Sequence, residues 1–245
     1  MAGKRYDLLD SIRGLALLSM IGYHGTWDMV NLFGAELSWY NGLPGAIWQQ
    51  LSCGVFVMLS GFCWSFGRNA LKRGLTVFAA GAAVTAVTMI AMPENRVLFG
   101  VLTLLGSCML LMIPLEKLLR RVRPWIGLAG CALLFLFTQN MRSGTLGFGP
   151  WQPIALPEQL YQGWFTTYLG FPHPGFFSAD YFPLFPWLFL FLCGYFAHRI
   201  CKKMGLLNQY FRRGIRSLSA LGRHSLPIYL AHQPILYFCL SLLHR

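Results

Sequence analysis

The chain has 245 residues, of which 56% are hydrophobic and only 11% carry a formal charge. A soluble globular domain carries about 25% charged residues, so the composition excludes a chain that faces water over most of its surface. The net charge is +12, and the basic residues lie between apolar runs, so membrane topology explains the charge better than nucleic-acid binding does. The sequence also shows no nucleic-acid recognition motif. The seven cysteines form no CxxC pair, which predicts neither a disulfide framework nor a metal site.

Seven apolar runs along the chain predict an all-α, polytopic integral membrane bundle that forms one domain, residues 1–245. A helix needs about 20 mostly apolar residues to cross a bilayer. The fifth run has only about 14, so a re-entrant or interfacial segment is the alternative there. The predicted spans are residues 8–32, 43–66, 75–92, 97–115, 125–139, 181–200 and 226–243.

The basic residues between these runs predict the topology. With a cytoplasmic N-terminus, 16 Lys and Arg residues fall on the cytoplasmic side and 3 on the other, with Arg13 inside the first span. This bias follows the positive-inside rule and predicts a multi-pass protein of a plasma membrane. The cytoplasmic set is Lys4, Arg5, Arg68, Lys72, Arg73, Lys117, Arg120, Arg121, Arg123, Arg199, Lys202, Lys203, Arg212, Arg213, Arg216 and Arg223; the outer set is Arg96, Arg142 and Arg245.

Two connections are long enough to have roles of their own. Residues 140–180 are rich in Gly, Pro, Trp and Tyr, and we expect them to fold over the outer mouth as a lid. Residues 202–223 are basic and amphipathic, and we expect them to lie along the cytoplasmic interface. Four aromatic residues of the lid stack on a sugar or anchor the outer interface: Trp151, Trp164, Tyr161 and Tyr168.

The first span carries four ionisable residues, Asp10, Arg13, His24 and Asp28. Such groups are expensive in a membrane helix and usually mark function. The eleven residues from Arg13 to His24 make three helical turns plus roughly 20°, so both lie on one face about 16 Å apart. Asp10 precedes Arg13 by three residues and Asp28 follows His24 by four, so each carboxylate lies on the same face as its neighbour.

This stripe predicts acid–base chemistry. An imidazole acts as a general base near neutral pH, so His24 is the candidate base, with Asp28 orienting it. The Arg13 guanidinium can bind a phosphate or carboxylate in a bidentate manner. Two structural explanations remain open: a buried Asp10–Arg13 pair at the helix entrance, and an interhelical hydrogen bond from His24.

Four segments resemble known membrane acyltransferases. RYDLLDSIRGLA at residues 5–16, followed by His24, is similar to the opening of the transmembrane acyltransferase superfamily. LFGVLTLLG at 98–106, DYFPLFPW at 180–187 with Gly194, and LGRHSLPIYLAHQP at 221–234 resemble further segments of one branch. That branch is the bacterial heparan-α-glucosaminide N-acetyltransferase-like family, and the resemblance covers nearly the whole chain.

The resemblance implies transfer of acetyl from cytoplasmic acetyl-CoA to a sugar on the far side of the membrane. It implies His24 as the catalytic histidine, with Arg13 as its motif partner and Asp180 and His232 as helpers. Thr103 stands where the family often has a histidine, so a second imidazole is missing there. Whether His24 carries the acetyl group or only deprotonates the acceptor stays open.

The remaining candidates come from the later spans. Asp180 either binds the sugar or caps the sixth span, and His232 either lines the active site or makes a structural hydrogen bond. Gln233 and Asp10 join them as candidate substrate-binding residues. Arg223 and His224 at the inner end of the last span, with Arg13, are candidates for binding the phosphates of coenzyme A; a solvated helix start is the alternative for His224.

We therefore expect an acetyl-CoA-dependent transmembrane O- or N-acetyltransferase without a metal cofactor. The expected partners are coenzyme A, a sugar or glycan acceptor and the lipid bilayer, with a homodimer as an open alternative to a monomer. The rival hypothesis is a proton-coupled carrier or channel that uses Asp10, Arg13, His24 and Asp28 as a relay. A structural membrane subunit is the third, and the charges within the first span argue against it.

Overall fold

A computed structural model describes residues 6–243 of the chain. Lys4, Arg5 and Arg245, which contribute to the predicted charge bias, and the first residue of the 5–16 segment lie outside the described residues. Ten α-helices and one β-hairpin follow in order: α1 (Asp7–Asn31), α2 (Leu43–Cys63), α3 (Ala70–Ala91), α4 (Val101–Leu119), α5 (Pro124–Phe137), β1 (Thr145–Phe148), β2 (Trp151–Ala155), α6 (Trp164–Leu169), α7 (Leu184–Lys203), α8 (Leu206–Tyr210), α9 (Arg216–Arg223) and α10 (Ser225–Leu243).

The seven predicted spans are all helices, and the chain is an all-α polytopic membrane protein. Six helices of the described chain are long and apolar enough to cross a bilayer: Leu43–Phe66, Ala70–Ala91, Val101–Leu119, Pro124–Ser143, Leu184–Lys203 and Ser225–Leu243. The fifth span reaches 20 residues because a 3₁₀ segment continues α5. Helix α1 has 25 residues but four charged side chains, so its role as a seventh span stays a prediction.

Three helix starts differ from the predicted boundaries by three residues or more. Helix α3 begins five residues early, because the Asn69 side chain accepts a hydrogen bond from the Lys72 amide and caps a first turn that includes charged residues. Helices α4 and α7 begin at Val101 and Leu184, later than predicted. The residues before them pair with each other instead: Ala179 donates to the Arg96 carbonyl at 3.1 Å and Phe182 donates to the Phe99 carbonyl at 3.0 Å.

The described chain divides into two compact units, Met1–Leu59 with Cys201–Arg245 (unit 1) and Ser60–Ile200 (unit 2). In unit 1, α9 packs directly on the first turns of α1. A methyl group on Gly222 would lie 1.9 Å from the Asp10 carbonyl oxygen, and one on Gly14 would lie 2.1 Å from the Leu218 carbonyl oxygen. Glycine is required at both contacts, because no larger residue permits this backbone approach.

A buried hydroxyl pair reinforces the contact between α1 and α9. The Ser11 and Ser219 hydroxyls lie 2.8 Å apart, and Ser219 also donates to the Asp7 carbonyl at 2.9 Å. The segment expected along the cytoplasmic interface therefore uses its small residues to hold α1. Its basic residues Arg212, Arg213 and Arg216 are exposed.

Unit 2 is built on the close packing of α3 and α4. A methyl group on Gly81 would lie 2.6 Å from the Thr103 amide, and one on Gly106 would lie 2.5 Å from the Phe78 amide. Arg199 of α7 joins this unit by donating to the Leu119 carbonyl at 2.7 Å and the Val122 carbonyl at 3.1 Å. Arg199 therefore caps the C-terminal end of α4. The sequence alone places it only among the basic residues of the predicted cytoplasmic side.

The long outer connection has secondary structure of its own. Strands β1 and β2 form an antiparallel hairpin, and α6 follows it. Tyr161 donates to the Met141 carbonyl at 2.5 Å, which ties the segment after the hairpin to the end of the fifth span. The four aromatic residues predicted to stack or to anchor belong to this part of unit 2, and its role as a lid stays a prediction.

Candidate active site

The N-terminal half of α1 carries the predicted cation with its carboxylate. Arg13 Nη1 lies 3.0 Å from Asp10 Oδ1, and both side chains are largely buried, with 23% and 19% exposed. The pair is the structural explanation proposed for Asp10, and it still leaves the guanidinium partly accessible.

Arg223 and His224 belong to the same end of unit 1. They directly follow Gly222, whose backbone packs against Asp10 and Gly14. Both side chains are exposed. The contact between α9 and α1 therefore brings two further basic residues to the end of α1 that carries Arg13, as binding of an anionic nucleotide would need.

The C-terminal half of α1 meets α10 through buried polar groups. Asp28 is fully buried, and Gln233 Nε2 donates to its Oδ1 at 2.6 Å. Sequence reasoning expected Asp28 to orient His24. Among residues 6–243, Asp28 takes its hydrogen bond from Gln233 instead, because Gln233 of α10 reaches the carboxylate from the facing helix. Asp28 Oδ2 and Gln233 Oε1 are buried and have no hydrogen-bond partner within the described chain.

Two imidazole rings face each other across the same helix contact. The His24 and His232 ring centroids lie 5.1 Å apart, with an angle of 58° between the ring planes. His232 Nδ1 hydrogen bonds to the Tyr229 carbonyl oxygen. A carbonyl only accepts, so Nδ1 carries the proton and Nε2 is the basic nitrogen of the neutral ring. The structure therefore brings together four predicted residues: His24, Asp28, His232 and Gln233.

An aromatic wall, defined here as Tyr23, Trp39, Tyr40 and Trp48, lies beside His24 in unit 1. The Tyr23 ring is 6.0 Å from His24, 5.3 Å from Tyr40 and 5.5 Å from Trp48. Burial raises the pKa of Tyr40 far above its usual range, and the neighbouring Tyr23 and Asp28 raise it further, so the phenol keeps its proton. Sequence reasoning missed Trp39, Tyr40 and Trp48, because a loop and a helix start carry no periodic signal.

Asp180 belongs to unit 2, whereas His24 and His232 belong to unit 1. Its Oδ2 accepts from the amide of Val101, the first residue of α4, at 3.3 Å. The sequence alternatives were a cap of the sixth span or a sugar-binding carboxylate. The carboxylate caps α4 and not the sixth span, because residues 178–182 run alongside residues 96–101. Its role in binding a sugar stays a prediction.

Two further positions bear on the missing second imidazole. Thr103 packs closely against Gly81, where an added methyl group would lie 2.6 Å from the Thr103 hydroxyl oxygen. His198, which sequence reasoning overlooked, is buried in α7 with edge contacts to Phe62 at 5.3 Å and Phe66 at 4.7 Å. No cluster of three His, Cys, Asp or Glu side chains suited to a metal ion occurs in residues 6–243.

The four segments that resemble acyltransferases meet in pairs. The described part of the first segment, residues 6–16, packs against residues 221–234 in unit 1 through Gly14 and Gly222. Residues 98–106 and 180–187 pair in unit 2, where Phe182 donates to the Phe99 carbonyl. Segments that are distant in the chain thus contact each other within each unit, as expected when a family pattern reflects a shared fold.

Comparison with known proteins agrees with this arrangement. A family model described as "Heparan-alpha-glucosaminide N-acetyltransferase, catalytic" matches residues 5–234, which is nearly the whole chain. No curated protein and no solved structure matches it. The match includes every predicted site residue. The chain therefore belongs to the heparan-α-glucosaminide N-acetyltransferase catalytic family, a family of membrane acetyltransferases.

Proposed function

We propose that this protein transfers the acetyl group of cytoplasmic acetyl-CoA to an amino or hydroxyl group of a sugar on the outer side of a bacterial plasma membrane. The observation that carries the proposal is the facing pair His24 and His232, 5.1 Å apart and held beside the Gln233–Asp28 hydrogen bond. Two imidazoles at one helix contact provide the base that acyl transfer to an amine or hydroxyl requires.

Donor binding is assigned to the inner end of α1. The phosphates of coenzyme A would meet Arg13, Arg223 and His224, and the pantetheine arm would extend along the stripe towards His24. The separation of about 16 Å between Arg13 and His24 along the helix axis is the length of path the arm must cover. The excess of basic residues on the predicted cytoplasmic side supports this direction of entry.

In the transfer step, the acceptor nitrogen or oxygen attacks the thioester carbonyl carbon, and the bond from carbon to sulfur breaks. The sulfur leaves with the bonding electron pair as the coenzyme A thiolate, and the acceptor proton goes to His24 and from there to the thiolate. In the alternative route, a His24 ring nitrogen attacks the thioester carbonyl carbon and expels the coenzyme A thiolate. The acceptor then attacks the acetyl carbon, the bond from that carbon to the imidazole breaks, and the acceptor proton goes to the thiolate. All residues assigned to these steps belong to one copy of the chain, so the proposal does not require a homodimer.

The test uses the full chain in liposomes, with labelled acetyl-CoA outside and an amino sugar trapped inside. We expect acetylated sugar in the lumen and free coenzyme A outside, for those molecules whose cytoplasmic face points outward. His24→Ala should abolish both products, whereas His173→Ala, a histidine of the outer connection, should not. Labelled acetyl on the protein without acceptor would identify the two-step route.

The same liposomes also distinguish the acetyltransferase from the rival function, a proton-coupled carrier. A proton-coupled carrier would change the luminal pH, read by a trapped dye, without cleaving the thioester. Proton flux in the wild type with intact acetyl-CoA would overturn the acetyltransferase proposal. Thioester cleavage without proton flux would rule out the carrier hypothesis.

A further inference from the structure

The aromatic wall contacts His24 through Tyr23 and presents one open ring, that of Trp39. Trp39 is 45% exposed, whereas Tyr40 is 7% exposed. The Trp39 ring stacks on Trp48 with centroids 6.1 Å apart and planes 27° apart, and it meets Tyr40 edge-on at 6.0 Å. Trp39 is therefore supported on one side by other rings and open on another, which suits a surface on which a ligand stacks.

The wall is held in place before any ligand binds. Trp48 Nε1 donates to the Ser19 hydroxyl at 2.8 Å, and the Ser19 and Ser52 hydroxyls lie 2.6 Å apart. This chain of hydrogen bonds locks the orientation of the indole that supports Trp39. A fixed surface costs little side-chain entropy on binding, and pre-organisation of this kind raises affinity.

The polar groups next to the wall need hydrogen-bond donors. Asp28 Oδ2 and Gln233 Oε1 are buried acceptors that no donor within residues 6–243 satisfies. Burying such an oxygen without a donor is costly, so a ligand or ordered water must supply one. Tyr40 links these oxygens to the wall, because it contacts Trp39 and lies close enough to Asp28 to be affected by its charge.

The charge of the region restricts the ligand. No Lys or Arg occurs between Gly14 and Gly67 or within α10, and the carboxylates Asp28 and Glu36 lie between Tyr23 and Trp39 in the sequence. A sulfated or carboxylated sugar would find no counter-charge within this part of unit 1 and would be repelled by the carboxylates. A sugar with hydroxyl or ammonium donors would meet the buried acceptors.

We propose that Trp39, supported by Trp48, is the platform on which the pyranose ring of a non-anionic acceptor sugar stacks, with the sugar's donor groups directed to Asp28 and Gln233. This inference rests on the proposed function for the acceptor's reaction, but binding of the sugar does not depend on it. The platform lies in the loop after α1, in unit 1, and not in the aromatic residues of the long outer connection.

The experiment compares Trp39→Ala with Trp151→Ala in the full chain, since Trp151 is 60% exposed in the outer hairpin and offers a matched loss of one indole. The probes are methyl β-glucosaminide and its 6-O-sulfate. We expect Trp39→Ala to raise the KM for the unsulfated probe about tenfold, the value of one stacking contact, with the KM for acetyl-CoA within twofold of wild type. Trp39→Phe should recover part of the loss.

The sulfated probe should bind at least tenfold more weakly than the unsulfated one in the wild type. An unchanged acceptor KM in Trp39→Ala, an equal rise in Trp151→Ala, or a preference for the sulfated probe would each overturn the platform. Direct binding of the probes by calorimetry keeps the test independent of chemistry. Loss of thioester cleavage in the wild type would refute the proposed function, whereas equal affinity of wild type and Trp39→Ala would refute the platform alone.

Discussion

Two helix contacts in this molecule differ in what they are made of: one is a close backbone approach at glycines, and the other is a contact between buried polar side chains. In unit 2, α3 and α4 approach through Gly81 and Gly106, α3 carries no charged residue after Arg73, and Ser107 satisfies its hydroxyl on its own helix by donating to Thr103 at 2.6 Å. In unit 1, α1 and α10 meet through imidazoles, a carboxylate and an amide, with two buried oxygens lacking a donor in the described chain.

The difference separates stability from function. Close backbone approach gives dispersion contacts and satisfied polar groups, which is how helices associate in a membrane. A contact with unsatisfied buried polar groups lowers stability, so proteins retain such contacts mainly at functional sites. The contact between α1 and α10 is therefore the place where substitutions should change the reaction, whereas glycine contacts should change stability.

The largest effect is expected from His24→Ala. Removing a general base lowers the rate by about 10²- to 10⁴-fold, so acetyl transfer should fall by that factor while the melting temperature in detergent stays near that of wild type. His173→Ala serves as the control. If the His24→Ala variant retained more than a tenth of the activity, the reactive group would not be His24. The contact between α1 and α10 would then no longer differ in function from the glycine contacts.

Gln233→Leu should have the next largest effect. It removes the hydrogen bond to the Asp28 carboxylate, and a bond to a charged group contributes about 1.5–3 kcal/mol, or roughly ten- to a hundredfold in rate if it positions the carboxylate for the reaction. We expect kcat to fall while the KM for acetyl-CoA stays constant, measured beside Gln209→Leu on exposed α8. A change in melting temperature without a change in kcat would make Gln233 merely structural.

Gly222→Ala should affect stability. The added methyl would lie 1.9 Å from the Asp10 carbonyl oxygen, and forcing extra volume into a packed contact costs about 1–3 kcal/mol. The melting temperature should fall, whereas Gly130→Ala in α5, where a methyl has no neighbour within 4 Å, should leave it unchanged or slightly higher. Equal melting temperatures of the two variants would show that α9 is not held against α1.

The smallest effect is expected at Tyr161 in the outer connection. Tyr161→Phe removes the hydrogen bond to the Met141 carbonyl and should cost about 1 kcal/mol. Burial raises the pKa of Tyr161, so the folded state favours the protonated phenol and stability falls as pH rises above the unfolded pKa of about 10. Between about pH 9 and about pH 11, which brackets the unfolded pKa of about 10, the melting temperature of the variant should therefore decline less than that of wild type. Parallel curves of melting temperature against pH would contradict this.

Part of the site was predictable because it depends on helical periodicity. Asp10 and Arg13 lie three residues apart on one helix, and their ion pair at 3.0 Å follows from that spacing. The partner of Asp28 was not predictable, because Gln233 reaches it from a helix more than 200 residues away in the chain. His24 and Asp28 share a face, but which side chain takes the carboxylate depends on the facing helix.

Composition and hydrophobic runs by themselves determined the class of molecule, because the length and polarity needed to cross a bilayer leave few alternatives. They also determined the candidate histidine, since a polar stripe on an apolar helix is conspicuous in one sequence. Only the tertiary structure decided that His232 faces His24, that Asp180 caps α4 in unit 2, and that Trp39 and Tyr40 accompany the site. These contacts join residues whose separation along the chain carries no periodic signal, so packing alone sets them.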